Sequence, residues 1–248
     1  MMHIGFILFV PIFSSMTYQG RGVLSGIYRG RILNGFFIQS RSDSQRVILS
    51  VGDGAVLVPA QSRMPELMRQ LSQGDLSITH NCYPCLFGFN HDDTGHIIAC
   101  NGRFAGGAKN EIMRSGIVTN SAIEALRLSD ARKDDPRLIA LAYDDGRGKP
   151  THVFGCYDGD GAPKVICRGI EDGRAMYLST ASHREPVDIT LPGDLPDLAR
   201  FLYESMLGED PEGGIGAAIC MYARDGRFDV EVFPRRNPPT EKTTKCLV

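Results

Sequence analysis

The chain has 248 residues, with 27 lysines and arginines against 29 aspartates and glutamates, for a formal charge of −2. So balanced a charge excludes the strong global field that drives generic nucleic-acid binding or adhesion to an anionic membrane. Charged residues at 23% and hydrophobic residues at 42% belong to a globular rather than a disordered chain, and 28 glycines exceed the usual share of about 7%, pointing to many tight turns.

Ile4–Phe13 is apolar, but it has about half the length of a membrane-crossing helix and Pro11 interrupts it. No basic stretch precedes it and no small-residue cleavage site follows, so it is a poor signal peptide. Met16 offers a second start, and residues 1–15 are expected to be an extension outside the domain. Seven cysteines, an odd number, fit a reducing cytoplasm better than a disulfide scaffold. Cys246 stands third from the end, whereas prenylation requires the fourth position.

Gly22–Ile27, Ile32–Gln39, Arg46–Ser50 and Ala55–Pro59 read as strands, with turns at Gly30 and Gly52-Asp53-Gly54. Pro65–Leu71 reads as a short helix and Leu76–Thr79 as a strand; Gly88-Phe89 and His96–Cys100 flank a turn at Asn90–Gly95. Thr119 or Asn120 is placed to cap a helix through Ala122–Leu128. Arg137–Ala142, Thr151–Tyr157, Pro163–Cys167 and Ala175–Ser179 read as further strands. Leu195–Leu207 is apolar at helical spacing, and Ile215–Ala223 with Phe228–Phe233 forms a last hairpin. A few helices among strands joined as meanders predict an α+β fold with mostly antiparallel sheets, not a doubly wound parallel one. No repeat or composition shift marks a boundary, so one domain is expected over 16–234, with 235–248 a loose polar tail.

Cys82-Tyr83-Pro84-Cys85 is a CxxC, but Pro84 and the following Leu-Phe-Gly-Phe suggest a turn into a strand, not the helix N-terminus a redox cysteine needs. As a metal knuckle it lacks a second ligand pair, so no metal site is expected. The pairs Gly20/Gly22 and Gly214/Gly216 lack the third glycine of a dinucleotide fingerprint and read as turn glycines. Thr17 would become a terminal nucleophile only if Met16 were the start and were trimmed. Arg41 and Arg46 flank a hydroxyl-rich stretch beginning at Ser40, a pattern that suits either a phosphate or an exposed polar loop. Asn81 and Asn101 each stand at a strand end, and His80 titrates near neutral pH.

Taken in order, five segments resemble the archaeal-type inosine monophosphate (IMP) cyclohydrolase family: Tyr18-Gln19-Gly20-Arg21, Ser40-Arg41-Ser42 with Arg46, Ile78-Thr79-His80-Asn81-Cys82, Ala99-Cys100-Asn101-Gly102, and Lys133-Asp134-Asp135-Pro136-Arg137-Leu138-Ile139-Ala140. The resemblance implies an N-terminal-nucleophile-hydrolase-like fold, a four-layer αββα sandwich used without the autocatalytic nucleophile. It also implies closure of a formylated aminoimidazole carboxamide ribotide to IMP, with no metal or redox cofactor. The partner would be that small ribotide, with no nucleic acid or membrane, and a homo-oligomer is compatible with it. On this resemblance His80, Arg41, Asn101 and Asp134 are the catalytic candidates. Arg21, Ser40, Arg46, Asn81 and Gly102 are the substrate-binding ones. The chain departs from the family where it has His80 in place of a tyrosine and Arg132 in place of an acid, with Asp134 or Asp135 left to compensate. Gly88–Gly95 and the C-terminal extension are further differences.

Overall fold

The computed structural model describes residues 19–39, 46–59, 83–144, 149–181, 184–193, 197–207, 214–223 and 225–234. The helix expected at 65–71, the strand expected at 76–79, residues 1–15 and the tail lie outside them. Among the described residues the chain forms strands β1 (Arg21–Tyr28), β2 (Arg31–Gln39), β3 (Arg46–Val51), β4 (Gly54–Pro59), β5 (Tyr83–His91) and β6 (Thr94–Cys100). Helices α1 (Ala105–Ser115) and α2 (Val118–Arg127) follow, then β7 (Arg137–Asp144), β8 (Thr151–Tyr157), β9 (Lys164–Arg168), β10 (Arg174–Ser179) and β11 (Val187–Thr190). Helix α3 (Leu198–Leu207) precedes the closing hairpin of β12 (Gly214–Tyr222) and β13 (Phe228–Pro234). No helix among them is long and apolar enough to cross a membrane.

The strands build two antiparallel sheets. β3 to β9 form a seven-stranded meander in which each strand pairs with its sequence neighbour, while a six-stranded sheet has the order β11-β10-β1-β2-β12-β13. Short turns drive this topology. Arg29 and Gly30, at φ 53° and 71°, close β1 onto β2, and Asp92 and Asp93, at φ 49° and 61°, close β5 onto β6, as the right-handed twist of a two-residue hairpin demands.

Alternation along the strands sets the layers. On β7, Leu138, Ala140 and Ala142 face a core shared with Val23, Ile32, Phe36 and Ala218 of the other sheet. Ile139 and Leu141 face outward onto α1 and α2 through Ala108, Ile112, Ala122 and Leu126. The outer face of the six-stranded sheet is covered by α3, where Leu198, Ala199, Phe201 and Leu202 meet Leu33, Phe37 and Ile219. With both faces covered, the central strands read as continuous apolar runs, whereas edge strands β9 and β11 carry exposed charged positions. Gly155 lets α2 approach β8: a Cβ there would stand 2.6 Å from Leu126.

Among the described residues, two fully buried side chains, Asn34 and His152, take part in polar links between the sheets. Asn34 on β2 donates from Nδ2 to the carbonyls of Ile97 (2.8 Å) and Ala140 (2.9 Å). Ser25 on β1 is bonded to Nδ1 of the fully buried His152 on β8 at 2.7 Å. Directional bonds of this kind fix how the sheets sit over one another, which apolar contacts alone do loosely.

Several expectations need correction. Helix α1 was not foreseen: its first turn carries Gly106 and Gly107 and its N-cap, Phe104, offers no side-chain bond, so its one cue is Gly116, left-handed at φ 68° after the last turn. Thr119 and Asn120 are not caps but lie inside α2, which starts at Val118 after an uncapped Ile117. Helix α3 begins at Leu198, and Leu195, where the expected helix starts, lies outside the described residues. Its first amides are satisfied by Asp197, which accepts from Arg200 N at 2.7 Å, and by Glu231 on β13, which accepts from Leu198 N at 2.8 Å. Pro84 is not in a turn. It lies within β5 at a shift of register where Leu86 pairs with Ala55 and Pro84 with Val56, leaving Cys85 over, the kind of bulge that tolerates proline in a sheet.

Candidate functional site

In an antiparallel meander, odd strands start at the end where even strands finish. In the meander Arg46 opens β3, Tyr83 opens β5, Arg137 opens β7 and Asn101 follows β6, while Arg21 opens β1 of the six-stranded sheet. They meet at one end of the fold around a cavity of about 380 Å³, lined also by Gly102, Arg103, Asp130, Arg132, Asp134 and Asp135. That volume is within the range of small-molecule sites, about 300–1,000 Å³. Five guanidinium groups outnumber three carboxylates, so the cavity is positive although the chain as a whole is not.

Arg137 organises the carboxylates. Its side chain, 8% exposed, reaches Asp130 at 2.8 Å from Nη2 and Asp135 at 2.7 Å from Nη1. Burial works against its charge, but the hydrogen bonds and charges of Asp135 and Asp130 more than offset this and raise its pKa. Asp135 is shared with Arg21, whose Nη1 stands farther off at 3.4 Å. The Arg132–Asp135 segment is a tight turn closed by reciprocal backbone bonds of 3.2 and 3.0 Å, which projects the exposed Lys133 and Asp134. Arg103 and Arg132 are exposed and make no ion pair among the described residues.

Asn101 is wholly buried and spends its amide on the chain: Nδ2 donates to Pro136 O at 2.9 Å and Oδ1 accepts from Leu138 N at 2.6 Å. The side chain thus staples the end of β6 to the start of β7 and holds Gly102 and Arg103 at the wall. The expected role of orienting substrate through the amide is joined by a structural one, since one N–H and one lone pair of that amide hold the wall. Gly102 is required by space, since a Cβ would lie 2.8 Å from the Phe104 ring and 3.1 Å from Arg137 Cδ. Cys100, beside it, is inert as a thiol: burial pushes its pKa up to about 12, with backbone hydrogen bonds from Gly102 and Ala105 opposing. Tyr83 is buried, with a hydroxyl that has no hydrogen-bond partner among the described residues. Burial pushes its phenol pKa up, against the pull of Arg21 and Arg46.

Of the residues expected from the sequence, Arg21, Arg46, Asn101, Gly102 and Asp134 line this one cavity. Ser40, Arg41, His80 and Asn81 lie outside the described residues, as does Thr17. Cys85 of the CxxC is a buried strand residue whose thiol points to Ala55 O at 3.4 Å. Sequence reasoning missed Tyr83, Arg103, Asp130 and Arg137 as lining residues. Arg103 was within reach, next to Asn101-Gly102, but Tyr83 was masked by the cysteines on either side of it. No protein-family model and no curated protein matches the chain.

Proposed function

We propose that the chain is a cyclohydrolase that closes 5-formamidoimidazole-4-carboxamide ribotide to IMP on an N-terminal-nucleophile-hydrolase-like, four-layer αββα scaffold. The observation that carries the reading is the arginine-rich cavity itself: Arg21, Arg46, Asn101, Gly102 and Asp134, from three of the five family-like segments and Arg46 beside a fourth, line one space of ribotide size. The layering of helices outside two antiparallel sheets supports the same scaffold.

The reaction is intramolecular. The carboxamide nitrogen attacks the formyl carbon, a carbon–nitrogen bond forms, and the formyl oxygen departs as water with one hydrogen from that nitrogen and one from the formamido nitrogen, whose bond to the formyl carbon becomes double. A site that holds both groups in near-attack geometry supplies much of the rate, because effective molarities reach about 10⁵–10⁸ M in well-oriented cases. Guanidinium groups, Arg21 and Arg46 with Arg41, bind the phosphate bidentately and stabilise the oxyanion that develops on the formyl oxygen. His80 and Asp134 move the proton, a role worth about 10²–10⁴-fold, and Asn81 orients the reacting groups. The test is to mix purified protein with the formylated ribotide and follow the absorbance change as IMP forms. Turnover lost in His80→Ala with IMP binding retained supports the enzyme; no turnover by the wild type overturns it.

A second reading, a non-catalytic ribotide-binding protein, is favoured by Arg132, which puts a cation on the cavity wall where the resembled family has an acid. Tight IMP binding without turnover selects it.

A further inference from the structure

The cavity contains one anomaly that a static protein does not explain. Tyr83 is 3% exposed, lines the cavity, and carries a hydroxyl with no hydrogen-bond partner among the described residues. A buried hydroxyl left unpaired is costly, and phenylalanine would fill the same space without the cost. The groups that act on this phenol electrostatically include the cations of Arg21 and Arg46, both on the same wall. A phenol hydroxyl in a wall that also carries guanidinium groups adds one more hydrogen-bond donor to it, and donors are the complement of an oxyanion with several lone pairs. Arg21 is held to Asp135 at 3.4 Å, while Arg137 already satisfies that carboxylate at 2.7 Å, so Arg21 can turn to a ligand without stranding a charge.

Resting on the reading of this cavity as a ribotide site, we infer that Tyr83 is a ligand-contacting residue whose hydroxyl donates to a phosphoryl oxygen held by Arg21 and Arg46. The unpaired hydroxyl is then a cost borne by the empty protein and repaid on binding, a familiar trade between stability and function.

The test is Tyr83→Phe, which deletes one oxygen. Thermal unfolding of the empty protein and calorimetric titration with IMP and with inorganic phosphate are measured for the wild type and the variant. The expected result is a crossing: the empty variant melts higher, by about 3 °C or more, and binds both probes about 10- to 100-fold more weakly. Unchanged binding of both probes, weakening for IMP but not for phosphate, a lower melting point, or failure of the variant to fold each overturns the inference. A wild type that binds neither probe overturns it together with the proposed function. A wild type that binds both in a Tyr83-dependent way yet never cyclises the formylated ribotide sinks the cyclohydrolase reading and leaves the contact standing.

Discussion

The sharpest physical prediction concerns acid stability and the imidazole buried between the sheets. Burial pushes the pKa of His152 down to about 4, and its Nε2 has no hydrogen-bond partner among the described residues to hold a proton. The ring in the unfolded chain titrates near 6.5, so the folded value is the lower of the two and the unfolded chain binds more protons. Stability is therefore complete above about pH 6.5 and falls as pH drops from there toward the folded value near 4. Integrating the difference from about pH 8 to about pH 5.5 gives a loss of about 1.4 kcal/mol for one such ring. His96, on β6, is pushed down to about 4 by burial and by the neighbouring His91, and loses a similar amount. Together they remove about 3 kcal/mol from a total that is commonly about 5–15 kcal/mol. Urea unfolding of the wild type and His152→Gln across that pH range measures it. The variant is less stable at the upper end, having lost the bond to Ser25, but its stability declines by about 1.4 kcal/mol less on acidification. A variant that loses stability in parallel with the wild type refutes the argument, because the buried ring then takes up no fewer protons than the free one.

Replacing Arg137 with methionine keeps the volume and removes the cation that holds Asp130 and Asp135 together. Since those carboxylates are 65% and 41% exposed, water covers part of the loss, and urea unfolding should show about 1–3 kcal/mol of destabilisation, short of a fully buried pair; a loss under about 0.5 kcal/mol counts against the clamp. Gly102→Ala pushes a methyl group toward Arg137 Cδ and the Phe104 ring. IMP affinity by calorimetry should fall several-fold or more with the overall fold retained by circular dichroism, and unchanged affinity means the wall yields freely.

The sheets were readable because period-two alternation and turn residues are local. Gly30, Gly52 and Asp225-Gly226 marked hairpins that the chain does form, and strands such as Thr151–Tyr157 emerge where the pattern put them. What failed was non-local or uncapped. Helix α1 starts on glycines and is held by burial of Ala105, Ala108 and Ile112 against β6, a contact no local pattern encodes. The start of α3 is satisfied in part by Glu231, a residue on a different sheet strand far along the chain.

The site was less readable still, for a reason of geometry. Its walls come from the first residues of β1, β3, β5 and β7 and from the loop after β6, so the residues that share the cavity are separated by whole hairpins in sequence. Residue type alone does not tell which guanidinium serves the fold and which is left for a ligand. Arg137 has both of its faces engaged by carboxylates and is structural in the first instance, whereas Arg103 and Arg132, with the same side chain, make no ion pair among the described residues. Asn101 makes the same point in reverse. It stood out as an amide suited to a substrate, yet both ends of that amide are bound to Pro136 and Leu138. Its structural contribution is to place Gly102 and Arg103. A phosphate-sized anion entering the cavity would meet cations that the fold has left over after its own ion pairs are made. The excess of five guanidinium groups over three carboxylates sets the net charge of the pocket, and structural pairing decides which of those cations face an entering anion uncommitted.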